Sequence, residues 1–151
     1  MIFQDIQNAI KEAMRAKDKD ALQTLRLISA ALKQIKVDKK LSDDDLTDEL
    51  VINELVRQSK QRQDAMQQYK DNGREDLAQK EEFEISVIKK FLPTQLDQAE
   101  IEKIIKETFE NSGLNREIAS LGKLMAELKP KLNGRADMSE VSRYLREFLK
   151  T

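Results

Sequence analysis

The sequence predicts an all-α protein: an N-terminal helical bundle containing a long helical hairpin, followed by a small C-terminal three-helix domain. Three observations predict it. Charged residues make up 36% of the chain and aromatics 5%, a balance that suits solvated helices rather than strands rich in aromatic and β-branched residues. Only four glycines and two prolines punctuate 151 residues, too few for the frequent turns of a sandwich or barrel. Apolar residues recur at three- and four-residue spacing through most of the chain, the period of one helix face.

In chain order, Ile2, Ile6, Ile10 and Ala13 give a first amphipathic helix that ends near Lys17-Asp18-Lys19-Asp20. An aspartate of that run can cap a second helix, whose stripe is Leu22, Leu25, Ile28 or Ser29, Leu32 and Ile35, with Arg26 beside it. Residues 37–41 read as a loop. Ser42 followed by Asp45 has capping-box spacing and predicts a third helix running unbroken to Asn72-Gly73, about 40 Å long. Residues 74–91 predict a fourth. Leu92-Pro93 breaks it, because a proline disfavours helical backbone at the residue before it, and residues 94–96 make a short connection. The domain boundary is placed there, giving residues 1–93 and 94–151.

Asp97 and Glu100 form another capping box, opening a fifth helix with Ile101, Ile104, Ile105, Thr108 and Phe109 that Gly113 closes. A sixth spans about residues 116–129, with Ile118, Leu121, Met125 and Leu128 on its core line. It runs into Pro130 and a basic turn. Asp137 and Glu140 cap the seventh, where Val141, Tyr144, Leu145, Phe148 and Leu149 face inward.

The third and fourth helices share an irregularity. The apolar line of the third passes through Ile52, Leu55, Ser59, Arg62, Met66 and Tyr69, and that of the fourth through Leu77, Glu81, Glu84, Ile88 and Phe91. Polar groups thus occupy positions where core residues are expected. If the two helices fold back about Gly73, Arg62 lies eleven residues before the turn and Glu84 eleven after it, so the two stand level. The expectation is a structural ion pair from Arg62 to Glu84 or Glu81, which sets register more than it adds stability. A metal between the two glutamates is the weaker alternative, since hard cations take more oxygen ligands than one helix line supplies.

The chain contains no cysteine and no histidine. That removes thiolate nucleophiles, disulfides, the commonest metal ligands and the commonest general base together. No phosphate-cradling glycine loop is present, so no catalytic residue, metal site or cofactor is assigned. The N-terminal stretch MIFQDIQNAIKEAMRAK carries acid early and lacks a continuous apolar run, which predicts neither a signal peptide nor a membrane span. A cytoplasmic location without membrane contact is expected.

Net charge is −1, yet residues 121–151 hold seven Lys/Arg against four Asp/Glu, net +3. Lys123, Lys129, Lys131, Arg135 and Arg143 can line one surface around the turn between the sixth and seventh helices, where phosphate is the natural anion. Gly122 sits inside the sixth helical pattern, where glycine costs about 1 kcal/mol relative to alanine. It admits two readings, tight packing of a neighbouring helix or close approach by a partner.

These residues carry a resemblance. The order KQRQDAMQQYKDNGREDLAQKEEFE, FLPTQL, LGKLM and PKLNGRADM, ending in an amphipathic helix, resembles the YqeY family over essentially the whole chain. The C-terminal third, through Gly122, Lys123, Met125, Gly134, Arg135, Ala136 and Asp137, is similar to the tail domain of the GatB subunit of tRNA-dependent amidotransferases. Ser120 stands where an aspartate is usual in that pattern, and Met138 where a small residue or proline is usual. The resemblance implies a helical bundle followed by a small helical domain that helps hold tRNA, with tRNA, aminoacyl-tRNA or the amidotransferase machinery as partners. It also implies an association with carbon–nitrogen ligase chemistry that uses glutamine as amide donor. The chain itself offers no glutaminase nucleophile and no ATP-binding motif, so the expected role is an accessory tRNA-binding module, not catalytic by itself. A protein-interaction adaptor using the polar helical hairpin is the alternative.

Overall fold

Side-chain oxygens start most of the helices, and their positions divide the chain. The computed structural model describes residues 1–150, which form seven α-helices and two short 3-10 turns with no strand among them. They gather into two compact units, Met1–Leu92 and the residues from Pro93 onward.

In the first unit, α1 (Ile2–Ala16) buries Phe3, Ile6 and Ala13 and ends at Lys17 in the left-handed conformation. The carboxylate of Asp18 then accepts the Ala21 N–H at 3.2 Å and caps α2 (Lys19–Asp38). This helix runs two residues into the expected loop. Gln34 donates to Asp38 at 2.8 Å across the last turn, which holds Val37 and Asp38 in the helix.

The capping box at Ser42 exists but does something different from its prediction. Ser42 donates to Asp45 through both its N–H, 3.0 Å, and its hydroxyl, 2.9 Å, and these bonds hold the Asp45 carboxyl below its ordinary range. They close only a 3-10 turn, Asp43–Asp45. Leu46 then drops into the core, fully buried, and Thr47 supplies a second cap for α3 (Asp48–Asp71), accepting the Leu50 N–H at 3.3 Å. The third helix is therefore 24 residues, about 36 Å.

Gly73, at φ 71°, permits the turn into α4 (Glu75–Lys89). Helices α3 and α4 pack on each other more extensively than any other pair. The core of this unit joins Ile6 of α1, Ile28 and Leu32 of α2, Leu46, Leu55 of α3 and Ile88 of α4.

In the second unit, Asp97 accepts the Glu100 N–H at 2.8 Å while Glu100 accepts the Asp97 N–H at 3.4 Å. This reciprocal box opens α5 (Gln98–Ser112), and Gly113 at φ 71° ends it. A 3-10 turn, Ile118–Ser120, leads into α6 (Leu121–Leu132), and α7 (Met138–Lys150) completes the unit. Two expectations are corrected here. Ile118 is 52% exposed rather than on the core line, because the chain is still in the 3-10 turn and has not entered the helix. Pro130 does not end α6. It lies in the final turn, where its missing N–H forfeits only one bond of the ladder, and the complete burial of Leu132 two residues later holds the backbone helical. The core here is almost wholly aliphatic: Ile101, Ile105, Leu124, Leu128, Val141 and Leu145.

Candidate nucleic-acid interface

The turn between α6 and α7 is built by a segment far from it in sequence. Gly134 is buried and takes φ 80°, a conformation that costs a side chain about 1–2 kcal/mol. Its carbonyl accepts from the Gln95 amide at 2.6 Å, and the Arg135 carbonyl accepts the Leu96 N–H at 2.9 Å. The sequence stretches LPTQL and NGRAD are thus one physical object. The Asp137 carboxylate accepts the Ser139 N–H at 2.9 Å and its hydroxyl at 2.6 Å, occupying the start of α7 that an anion would otherwise meet.

The six residues expected at the interface do not form one patch. Gly122, Lys123 and Lys129 are exposed on α6. At about 100° per residue, Gly122 and Lys129 share a face some ~20° apart, with Lys123 about a quarter-turn round. Lys131 reaches the other way and donates to the buried hydroxyl of Thr108 on α5, 3.0 Å. Arg135 folds back and donates to the Lys131 carbonyl at 3.3 Å, where a cation also meets the negative end of the helix. Arg143 lies over the ring of Tyr144, 5.1 Å from its centre.

The space around Gly122 argues against the tight-packing reading. A Cβ built on it meets nothing within 4 Å, so no neighbouring helix of the chain requires the glycine. The half-buried Leu121 and buried Leu124 anchor the helix while Gly122 faces open space. Ser120 is buried, and its hydroxyl donates to the Asn115 carbonyl at 2.8 Å. It fixes the turn entering α6.

One cation escaped sequence reasoning. Arg116 lies over Phe148 at 4.3 Å and Phe109 at 5.7 Å, and the two rings meet edge to face at 5.3 Å. The spacing of Phe109 and Phe148 signals inward rings, but nothing local signals the arginine above them.

In the first unit, Arg62 pairs with Glu84 and lies 3.5 Å from Glu81. Glu84 is 6% exposed. Burial pushes its carboxyl up, Glu81 adds to the rise, and Arg62 opposes it. A second buried carboxylate, Glu54, is held by Arg57 through Nε at 2.9 Å and by Gln58 at 3.1 Å. Burial pushes this group up as well, but those hydrogen bonds outweigh it and the carboxyl lies below its ordinary range. The Arg62 cluster spans the α3–α4 seam, whereas Glu54, Arg57 and Gln58 all stand on α3. Among the described residues no group of three or more His, Cys, Asp or Glu could hold a metal ion, and no helix is long and apolar enough to cross a membrane.

Comparison with known proteins gives relatives along most of the chain. The "altered inheritance of mitochondria protein 41, mitochondrial" of Pyrenophora tritici-repentis is 30% identical over 151 residues, 97% of this chain and 80% of its own length. The proteins of the same name from Vanderwaltozyma polyspora and Lachancea thermotolerans are each 32% identical, over 69% and 58% of this chain. Against those two, the match spans 58% and 46% of their lengths. These names overturn the expectation of a cytoplasmic location, since the relatives are called mitochondrial proteins. The expectation rested on the lack of cysteine and of an apolar N-terminal run, and neither feature distinguishes one reducing compartment from another. The model of the family described as "Yqey-like protein" matches residues 3–149, and the chain belongs to the YqeY family.

Proposed function

We propose that this protein is an accessory module that contacts tRNA through α6 and serves a tRNA-dependent amidotransferase without catalysing its reaction. The observation that carries the reading is Gly122, a helix glycine that faces open space. Glycine is the poorer helix former, although in the first turn of α6 its cost is below the ~1 kcal/mol of a helix interior, and an RNA backbone drawn close to a bare helix face supplies a reason for it. Charge supports the same surface. Residues 93–120 hold three Lys/Arg against six Asp/Glu, whereas residues 121–151 hold seven against four, so the cations are concentrated in the α6–α7 half.

Phosphate contact releases counterions, and affinity then falls steeply with salt. Filter binding of unmodified tRNA between about 50 and about 200 mM salt tests this. Binding at low salt is expected, with the slope of log affinity against log salt reduced by about 2 in Lys123→Ala/Lys129→Ala. No affinity at low salt, or an unchanged slope in the double variant, overturns the proposal. Neither lysine is buried, so the variant keeps its fold. Association with an amidotransferase is tested separately, by co-sedimentation with the purified enzyme in the presence and absence of tRNA. The bridged complex is expected only with tRNA.

A further inference from the structure

We infer that the first unit carries a docking groove for an acidic, amphipathic segment of a partner protein, lying along the outer face of α2 where it meets α3.

Helix α2 has two faces. Its buried line runs through Leu25, Ile28 and Leu32. Lys19, Arg26 and Leu27 lie on another side, with the half-buried Leu22 at its border with the core, and Leu27 is 49% exposed there. Two shallow grooves meet at this leucine. One, about 350 Å³, is lined by α2 residues alone, including Lys19, Leu22 and Arg26. The other, about 370 Å³, continues onto α3 past Arg57 and Gln61, with Glu81 of α4 at its far edge. The two read as one channel with an apolar centre and a cationic rim.

The charge balance selects the occupant. Lys19, Arg26 and Arg57 are exposed along this channel. Glu81, the acid on its lining, is 17% exposed and faces Arg62 at 3.5 Å, and Arg57 is itself paired with Glu54, which leaves Lys19 and Arg26 as the main rim charge. The surrounding unit is not basic: residues 1–92 hold seventeen Lys/Arg and eighteen Asp/Glu. A cationic rim within a slightly acidic unit is a local feature, and its complement is negative. Arg57 is pre-set for this role, because Glu54 holds its guanidinium through two nitrogens, and a side chain already ordered loses little entropy when a partner carboxylate arrives. The apolar centre selects peptide over nucleic acid. No aromatic side chain lines either groove, so bases have no ring to stack on, whereas Leu22 and Leu27 suit the apolar residues that an amphipathic helix presents at i, i+3 and i+4.

The probe is a fluorescein-labelled helical peptide with leucine at i, i+3, i+4 and i+7 and glutamate on its remaining face, measured by anisotropy with the full chain. A lysine-for-glutamate version and a single-stranded RNA of equal length serve as competitors. The acidic peptide should bind. Lys19→Glu/Arg26→Glu should weaken it about tenfold by reversing the rim charge, and Leu27→Ser should weaken it with the rim intact. All three positions are at the surface, and far-ultraviolet circular dichroism of each variant shows whether the helices are retained. A second readout is independent of variant folding: backbone amide shifts on titrating the acidic peptide into the unsubstituted protein should concentrate on α2 and the facing part of α3. Equal binding of the lysine peptide, displacement by the RNA, unchanged affinity in a folded charge-reversed variant, or shifts elsewhere in the chain would overturn the inference. Lys123 and Lys129 are not involved, so this result is independent of tRNA binding.

Discussion

The two units place their charged groups in opposite ways. The first buries carboxylates: Glu54 is held by Arg57 and Gln58 of its own helix, and Glu84 pairs with Arg62 across the α3–α4 seam. Among the described residues the second keeps its interior largely aliphatic, with Thr108 and Ser120 as its buried polar residues, and turns Lys123 and Lys129 outward. A buried ion pair between two helices specifies which alignment is allowed, since a slip along the seam would strand Glu84 without Arg62. Exposed charge adds little to stability and remains available to a partner. The contrast separates a register device from a set of exposed cations.

The sharpest way to break the comparison is at Arg62. Arg62→Ala removes the cation paired with Glu81 and Glu84 and leaves a buried carboxylate without its ion pair, an expected loss of about 3–5 kcal/mol in urea unfolding. Adding Glu84→Gln should recover much of it, because the stranded charge is gone. Titration sharpens the same point. The folded pKa of Glu84 lies above its unfolded value, so its contribution favours the fold at low pH and is lost as pH rises through the raised value. Glu54 lies below its unfolded value, so its contribution is present at neutral pH and lost as pH falls. Urea midpoints between about pH 4 and about pH 7 should therefore show Glu84→Gln removing a stability loss on the alkaline side and Glu54→Gln removing one on the acid side.

The next effect belongs to the second unit. Gly134→Ala forces a side chain into the left-handed region and should cost about 1–2 kcal/mol, while Gln95→Ala removes one hydrogen bond to the same turn and should cost about 0.5–1.5 kcal/mol. Measured by thermal unfolding, the pair tests whether the LPTQL and NGRAD stretches act together: their costs should be less than additive, since each disturbs one contact.

Much of this architecture was legible because it is local. The Asp97–Glu100 box, the Gly113 stop and the Asp18 cap depend on residues within one turn of each other, and such signals read directly. The level placement of Arg62 and Glu84 followed from counting to Gly73, since a tight turn makes sequence distance equal spatial height. What was not legible depends on distant residues. The Ser42 box could not announce that Leu46 would be needed in the core and the helix restarted at Thr47. Pro130 reads as a stop until the burial of Leu132 is known. Lys131 reads as a free cation, yet its partner is Thr108, and Arg135 reads as a phosphate ligand, yet it caps its own helix. Gly122 carried two readings that only the space around it could separate.

The smallest change tests the central claim most directly. Gly122→Ala adds one methyl group to an exposed helix position where no neighbouring element among the described residues stands within 4 Å of it. Alanine is the better helix former, by less than the ~1 kcal/mol of a helix interior because Gly122 stands in the first turn, so the melting temperature should rise slightly. In the same preparation, tRNA affinity at low salt should fall, because the methyl group holds the RNA backbone off the α6 face. A more stable protein that binds tRNA less well is the predicted result. A more stable protein with unchanged tRNA affinity would contradict the assignment of α6 as the contact surface.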